Sequence, residues 1–193
     1  MTKRAFDLGV ALFGLLLAGP ILLLVALAIK LSGPGPILFR QDRVGRNFQP
    51  FRICKFRTMA SEALPYPLIT VKGDPRVTRI GRFLRRTKLD EIPQLFNVIK
   101  GDMSLVGPRP EVPVYVEIFH SDYEEILQVR PGITDEASIV FRHESQLLVE
   151  AAGADTKYRS EILPQKIDLA KKYVQNVSFW GDVLILMRTI ARL

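Results

Sequence analysis

The sequence predicts a mainly helical α+β fold with a few short strands, set behind an apolar N-terminal segment. Three observations lead there. "AFDLGVALFGLLLAGPILLLVALAI", residues 5–29, is apolar apart from Asp7, and its roughly 25 positions exceed the approximately 20 that a membrane helix needs. "SGPGPILFRQDRVGRNFQPFRICKFRTM" mixes Gly/Pro turn signals with short apolar runs, the pattern of loops and a pair of short strands. From Asp74 onward, apolar residues recur at helical spacing. At 193 residues the chain has the length of one domain with an accessory segment, so the expected division is a membrane helix over 1–30 and a single domain over 31–193.

A cleaved signal peptide does not suit the N-terminal run, which is longer than an h-region and is followed by Lys30 and "SGPGP" rather than a small-x-small site. The choice is then between spanning the bilayer and dipping into it. Lys3 and Arg4 precede the run, and Lys30, Arg40, Arg43 and Arg46 follow it, so both ends are drawn to the cytoplasmic side. Gly19-Pro20 falls inside it, where proline removes a helix hydrogen bond and clashes with the preceding turn. A re-entrant helix-break-helix turning at Gly19 and Pro20 is therefore favoured over a kinked span.

The formal charge of +7 and the 48% hydrophobic content call for an anionic partner and for apolar surface that faces lipid. Membrane phosphates fit both. Nucleic acid does not, because the positive charge accompanies a lipid-embedding segment and no nucleic-acid motif is present. Cys54 is the only cysteine, which excludes an internal disulfide and a zinc-type cluster and suits a reducing, cytosol-facing location. His120 and His143 stand far apart without a ligand pattern, as surface or packing residues do.

"ALPYPLITVKGDP" carries three prolines and reads as a loop. "DPRVTRIGRFLRRTKL" follows, with Asp74 as expected N-cap and Pro75 at the first helical position. At about 100° per residue, Val77, Ile80, Phe83 and Leu84 gather on one side and Arg79, Arg82, Arg85 and Arg86 opposite. This basic amphipathic helix is either a solvated surface helix or a contact for headgroups or a phosphorylated substrate.

Next comes "KLDEIPQLFNVIKGDMSLVGPRPE". Thr87 or Asp90 can cap a new helix, and Pro93 is tolerable only in its first turn, which places Asp90 and Glu91 at a helix N-terminus. Acids there complement the helix dipole. The same dipole, with nearby arginines, would keep both ionised, one available as a nucleophile and the other as a hard oxygen ligand for Mg²⁺. Gly107 and two prolines fix the backbone around Arg109, as suits a guanidinium held for a phosphate. A similar place is "VRPGITDEASIVFRHE", where Pro131-Gly132 turns and Arg142 follows. Near the C-terminus, "EILPQKIDLAKKYVQNVSF" reads as an amphipathic helix, and "FWGDVLILMRTIARL", with Trp180, Arg188 and Arg192, as either an interfacial helix or a core helix.

Taken together, "KRAFD", the apolar segment with its proline, "ILFRQDRVG", "FRICKFRTM", "LDEIPQLFNVIKGDMSLVGPRPE" and "VRPGIT" resemble the bacterial sugar transferases, small monotopic phosphoglycosyl transferases acting at the bacterial inner membrane. The resemblance covers nearly the whole chain. It implies a catalytic domain over 31–193 on the cytoplasmic face that moves a phospho-sugar from a UDP-sugar to undecaprenyl phosphate with release of UMP, starting polysaccharide or glycoconjugate assembly. It further implies Asp90 as the covalent nucleophile, Glu91 as the Mg²⁺ ligand, Arg85, Arg109 and Arg142 as phosphate-binding residues, and Lys55 as active-site support. Two departures stand out: Gly19-Pro20 where the family commonly has Ser-Pro, and "PGITDEASIVFR" where it commonly has "PGITGWAQVNGR". The rival reading from the residues is a non-catalytic membrane-anchored scaffold that binds anionic lipid. The polytopic transferases of similar net reaction are excluded, since one hydrophobic segment cannot build a multi-span core.

Overall fold

The computed structural model describes residues 2–60, 69–142, 144–148 and 153–192. His143 and the first part of the proline-rich loop lie outside the described residues. Helix α1 (Thr2–Leu31) leads into a hairpin of β1 (Leu38–Val44) and β2 (Pro50–Phe56). Then come α2 (Arg79–Thr87), a 3-10 turn over Leu89–Glu91, α3 (Gln94–Lys100) and β3 (Ser104–Val106). Two short helices, α4 (Pro113–Ile118) and α5 (His120–Ile126), precede β4 (Gly132–Thr134) and α6 (Glu136–Val140). The chain ends with α7 (Glu144–Leu147), α8 (Ala154–Lys157), a π-turn over Tyr158–Ile162, α9 (Leu163–Gln175) and α10 (Phe179–Ile190). The mainly helical α+β class is thus the observed one. β1 and β2 pair antiparallel and β3 and β4 parallel, as two separate two-stranded sheets.

Helix α1 differs from expectation at its centre. It stays helical through Gly19 and Pro20, so the break in helical backbone predicted there does not occur. Proline forfeits a single N–H donor, and the apolar, leucine-rich neighbours on both sides sustain the helix around that one gap. What the sequence did not reveal is that both halves of α1 rest on the same domain. Near its start, Lys3 Nζ donates to Val106 O (3.1 Å) and pairs with Asp182, and Arg4 Nη2 donates to Ile99 O (3.2 Å). Asp7, the lone acid of the run, is buried and accepts from Ser104 Oγ (2.8 Å) and Leu105 N (3.3 Å). Ala11 packs with Phe51, Ile53, Val98, Met103 and Leu105. Toward the other end, Val25 and Ile29 pack on Phe56 and Leu84, and buried Arg57 closes the helix by donating to Ile29 O (3.0 Å) and Gly33 O (2.9 Å).

The rest of α1 is bare. Leu12, Phe13, Leu16, Leu17, Leu23, Leu24 and Leu27 are each more than half exposed, an apolar surface that a water-facing monomer does not carry. Helix α10 resolves the two readings of its sequence by having two apolar faces. Ile185 and Leu186 pack inward beside buried Asp182, while Trp180, Leu184, Met187 and Ile190 form an exposed stripe at helical spacing. Phe6 of α1 meets Phe179 of α10 edge-on at 5.2 Å, so the two exposed surfaces adjoin. A third cluster, built from α4, α5 and α9 around Tyr115, Tyr123, Ile126, Leu163 and Ile167, fills the far side of the domain.

Helix α2 starts later than predicted. Asp74 is buried and clasps its own neighbour, accepting from Arg76 N (2.9 Å) and from the Arg76 guanidinium (2.7 Å). A carboxylate so used cannot cap a helix, and Thr78 caps instead, its hydroxyl accepting from Gly81 N at 3.0 Å.

Candidate active site

The 3-10 turn at Leu89–Glu91 runs into α3 through Ile92 and Pro93, both in right-handed helical conformation. Asp90 and Glu91 therefore precede the helix proper rather than capping it. Lys88, left-handed at φ 58°, turns the chain sharply between α2 and this pair. Asn97 seats α3 on the hairpin: its Oδ1 accepts from Cys54 N (2.9 Å) and its amide donates to Arg52 O (2.8 Å). That seating brings Lys55, next to Cys54 on β2, against the acid pair.

Arg109 arrives from the other side. The two turn motifs read separately in the sequence pack back to back as β3 and β4: Gly107 N donates to Thr134 O (3.1 Å) and Gly132 N to Pro108 O (3.0 Å). A Cβ on Gly132 would stand 2.1 Å from the Gly107 nitrogen, so glycine is obligatory at this close approach. Arg109 N then donates to Asp135 Oδ2 at 3.0 Å, while the other oxygen of Asp135 caps α6 through Ser138 N at 2.7 Å. Asp135 lies in the segment that departs from the family pattern, and no sequence signal marked it as the brace of the arginine loop.

At the centre, Glu91 Oε1 accepts from both Lys55 Nζ (2.7 Å) and Arg109 Nη2 (2.8 Å). Burial alone would raise the Glu91 carboxyl, but Arg109 and Lys55 outweigh it and hold the group well below the usual carboxylate range. Glu91 in turn raises Arg109 further. Burial dominates at Lys55 and brings its ammonium down to about 8, against the pull of Glu91.

Asp90 is shifted in the opposite direction from its neighbour. It is only 8% exposed. Burial and the Glu91 charge raise its carboxyl, opposed by Lys55, Arg85 and Lys88. Its Oδ1 is buried and has no hydrogen-bond partner.

Of the four arginines of α2, Arg79, Arg82 and Arg86 are exposed and Arg85 alone turns inward, its Nε donating to Thr58 Oγ1 at 2.9 Å. Burial lowers Arg85, and Asp90 is the strongest charge acting to raise it. The structure thus gathers Asp90, Glu91, Lys55, Arg85 and Arg109. Arg142 lies half-buried in the turn after α6 and is not among the charges acting most strongly on Asp90 or Glu91. Arg43 and Glu111 were not singled out as site residues. Arg43 Nη1 donates to Pro110 O (3.0 Å) and faces Glu111 Oε2 at 3.6 Å, and Tyr158 O–H donates to Glu111 Oε1 (2.8 Å). They support the arginine loop from behind; Glu111 closes the quoted motif, which was the available clue.

Among the described residues no group of three or more His, Cys, Asp and Glu forms a metal cage. The donor set suits Mg²⁺ nonetheless, since that ion is commonly held by one or two carboxylates and substrate phosphates. Lys55 and Arg109 both donate to Oε1 of Glu91, so its Oε2 is the oxygen that would meet the ion.

The structure thus lays a helix long and apolar enough to cross a membrane along an α+β domain, beside an acid pair ringed by cations. The chain belongs to the bacterial sugar transferase family, whose pattern matches residues 1–193. It is 42% identical over 197 residues to UDP-glucose:undecaprenyl-phosphate glucose-1-phosphate transferase of Caulobacter vibrioides, covering 100% of this chain and 70% of that protein. It is 40% identical to UDP-N-acetylgalactosamine-undecaprenyl-phosphate N-acetylgalactosaminephosphotransferase of Aeromonas hydrophila and 38% to UDP-glucose:undecaprenyl-phosphate glucose-1-phosphate transferase of Escherichia coli. The match takes in 97% and 98% of this chain but only 42% and 39% of those two proteins.

Proposed function

We propose that this protein transfers a phospho-sugar from a UDP-sugar to undecaprenyl phosphate through a covalent phospho-aspartate on Asp90, as the first step of polysaccharide or glycoconjugate assembly. The observation that carries the reading is the unpaired, buried Oδ1 of Asp90 beside an acid already neutralised by two cations. A carboxylate with no donor on it and a raised pKa is a better nucleophile than a salt-bridged one. Oδ1 attacks the phosphorus bearing the sugar, and the bond from that phosphorus to UMP breaks, its electron pair leaving with UMP. An oxygen of undecaprenyl phosphate then attacks the same phosphorus, and the bond to Oδ1 breaks with its pair returning to Asp90. Because Oδ1 is closed to solvent in this state, diphosphate binding must open the wall above it.

Arg109 and Lys55 stand ready to neutralise phosphate oxygens, with Arg85 behind Asp90. Bound Mg²⁺, held by Glu91, would offset diphosphate charge. The test is UMP release, screened across UDP-sugars with undecaprenyl phosphate present. Mg²⁺-dependent release supports the transferase; lipid binding without release would leave only a membrane-anchored scaffold.

Lys55 sets a pH limit. In the free protein its ammonium is charged below about 8 and neutral above. The profile of kcat/KM should therefore fall above about pH 8, and Lys55→Arg should remove that limb, because guanidinium stays charged. Its linkage to stability runs the other way. A lysine depressed from 10.5 to about 8 binds fewer protons folded than unfolded in that window, so its contribution to stability improves as pH rises through it.

For topology, the contacts at both ends of α1 support a re-entrant segment that bends at Pro20 while staying helical, with its ends and the domain on the cytoplasmic side. A helix crossing the bilayer would carry Lys3 and Arg4 about 30 Å or more from the domain that holds Ile29, yet all are bound to that domain. Cysteine introduced at Thr2 should resist an impermeant thiol reagent applied to intact cells' outer face. Labelling there would establish a span.

A further inference from the structure

Among the described residues four buried side-chain polar atoms lack a hydrogen-bond partner, and two of them are Asp90 Oδ1 and Gln94 Nε2. They are four positions apart on a backbone that is helical through Ile92 and Pro93, a spacing that stacks side chains on one face. One is an acceptor and the other a donor. Gln94 is 1% exposed, so its amide reaches neither solvent nor a substrate directly. As packing alone, it is a poor choice for such a place, where methionine or leucine would fill the space without stranding a polar group. Asn97, one turn further on, shows what a structural amide does here: it binds Arg52 O, Asp102 Oδ2 and Cys54 N. Gln94 has a donor in hand.

We propose that Gln94 is a positioning residue acting through Asp90, its Nε2–H binding the Asp90 carboxylate as that group is released in the second transfer. The inference rests on the phospho-aspartate reading above. During the first transfer an unengaged amide leaves Oδ1 free to attack. In the second, the undecaprenyl-phosphate oxygen bonds to phosphorus, the phosphorus–Oδ1 bond breaks, and negative charge returns to a carboxylate that is almost wholly removed from water. A neutral donor one helical turn away stabilises that leaving group without adding another cation beside Lys55 and Arg85.

The experiment uses the full-length protein and the UDP-sugar that supports UMP release, radiolabelled at the phosphate bearing the sugar. Formation of labelled enzyme is followed without acceptor, and its discharge after adding undecaprenyl phosphate. In Gln94→Met, formation should stay within about threefold of wild type and discharge should slow by about 10- to 100-fold, while the melting temperature holds or rises because a stranded amide has been removed. Gln94→Leu serves equally if the methionine variant does not fold. Equal slowing of both steps, unchanged discharge, or a lower melting temperature accompanying lost activity in the folded variants overturns the assignment. If wild type discharges labelled enzyme and Gln94→Met does so as fast, only the role of Gln94 falls; if wild type never becomes labelled, the phospho-aspartate reading falls and takes this inference with it.

Discussion

Asp90→Asn should abolish UMP release, by about 10⁴-fold or more, and leave no labelled intermediate, while the protein becomes no less stable. The two halves of that expectation come from the same atom. Oδ1 is buried and unpaired, so the side chain contributes little to holding the fold and its charge is a burden on it. The sign follows from the direction of its pKa. Burial and Glu91 raise the folded-state carboxyl above its ordinary value, so the folded state holds its proton to higher pH than the unfolded chain does. Asp90 therefore favours the fold most in acid, and that contribution is lost as pH rises through the folded pKa. At neutral pH the isosteric amide removes the desolvated charge, and Asp90→Asn should melt at or above the wild-type temperature. Below about pH 4, near the unfolded carboxyl value, the difference should shrink. A thermal melt at both pH values alongside the UMP assay checks this. Activity retained, or a large fall in melting temperature at pH 7, would contradict the role.

Much of the site was legible because its parts are local in sequence. The adjacent acids and the rigid turn around Arg109 announced themselves by residue type and spacing, and Lys55 entered through the resemblance carried by "FRICKFRTM". Their meeting point was not legible, since it depends on Asn97 seating α3 against β2 and on two glycines touching across β3 and β4. Periodicity separated the arginines of α2 from its apolar side, yet could not show that Arg85 alone turns toward Thr58. Local charge also misled the reading of Asp74: an acid before Pro75 looks like a cap until Arg76, two positions on, claims its carboxylate. The division at Gly19-Pro20 followed from proline's missing donor, but one lost hydrogen bond does not end a helix whose flanks are uniformly apolar. What holds α1 to the domain is polar and distant in sequence, as with Asp7 and Ser104, and no window of neighbouring residues contains both.

Glu91→Gln should be the most damaging substitution for the fold of the site, and it separates Glu91's role from that of Asp90. Glu91 compensates Lys55 and Arg109 through one oxygen, in a place where its side chain is 14% exposed and that of Lys55 17%. Removing one partner from a buried ion cluster strands the others, at a cost of about 3–5 kcal/mol. The neutral amide also withdraws the attraction that now opposes burial at Lys55, so the lysine titrates below its wild-type value of about 8. The pH dependence fixes the assignment. The folded-state carboxyl lies well below 4.5, so Glu91 contributes stability that is fully present above the unfolded value of about 4.3 and is lost as pH falls through the folded pKa. Urea unfolding at pH 7 should show the full difference between wild type and Glu91→Gln, and the two should converge as the medium is made more acid. Asp90→Asn shows no such loss at pH 7. UMP release by Glu91→Gln should drop by at least about 100-fold, with its Mg²⁺ response flattened, because the same change releases Arg109 from its bearing and removes a hard oxygen from the site. Equal stability of the two proteins at pH 7 would mean that Lys55 and Arg109 are compensated by something other than Glu91, and the site's electrostatic design would have to be redrawn around that group.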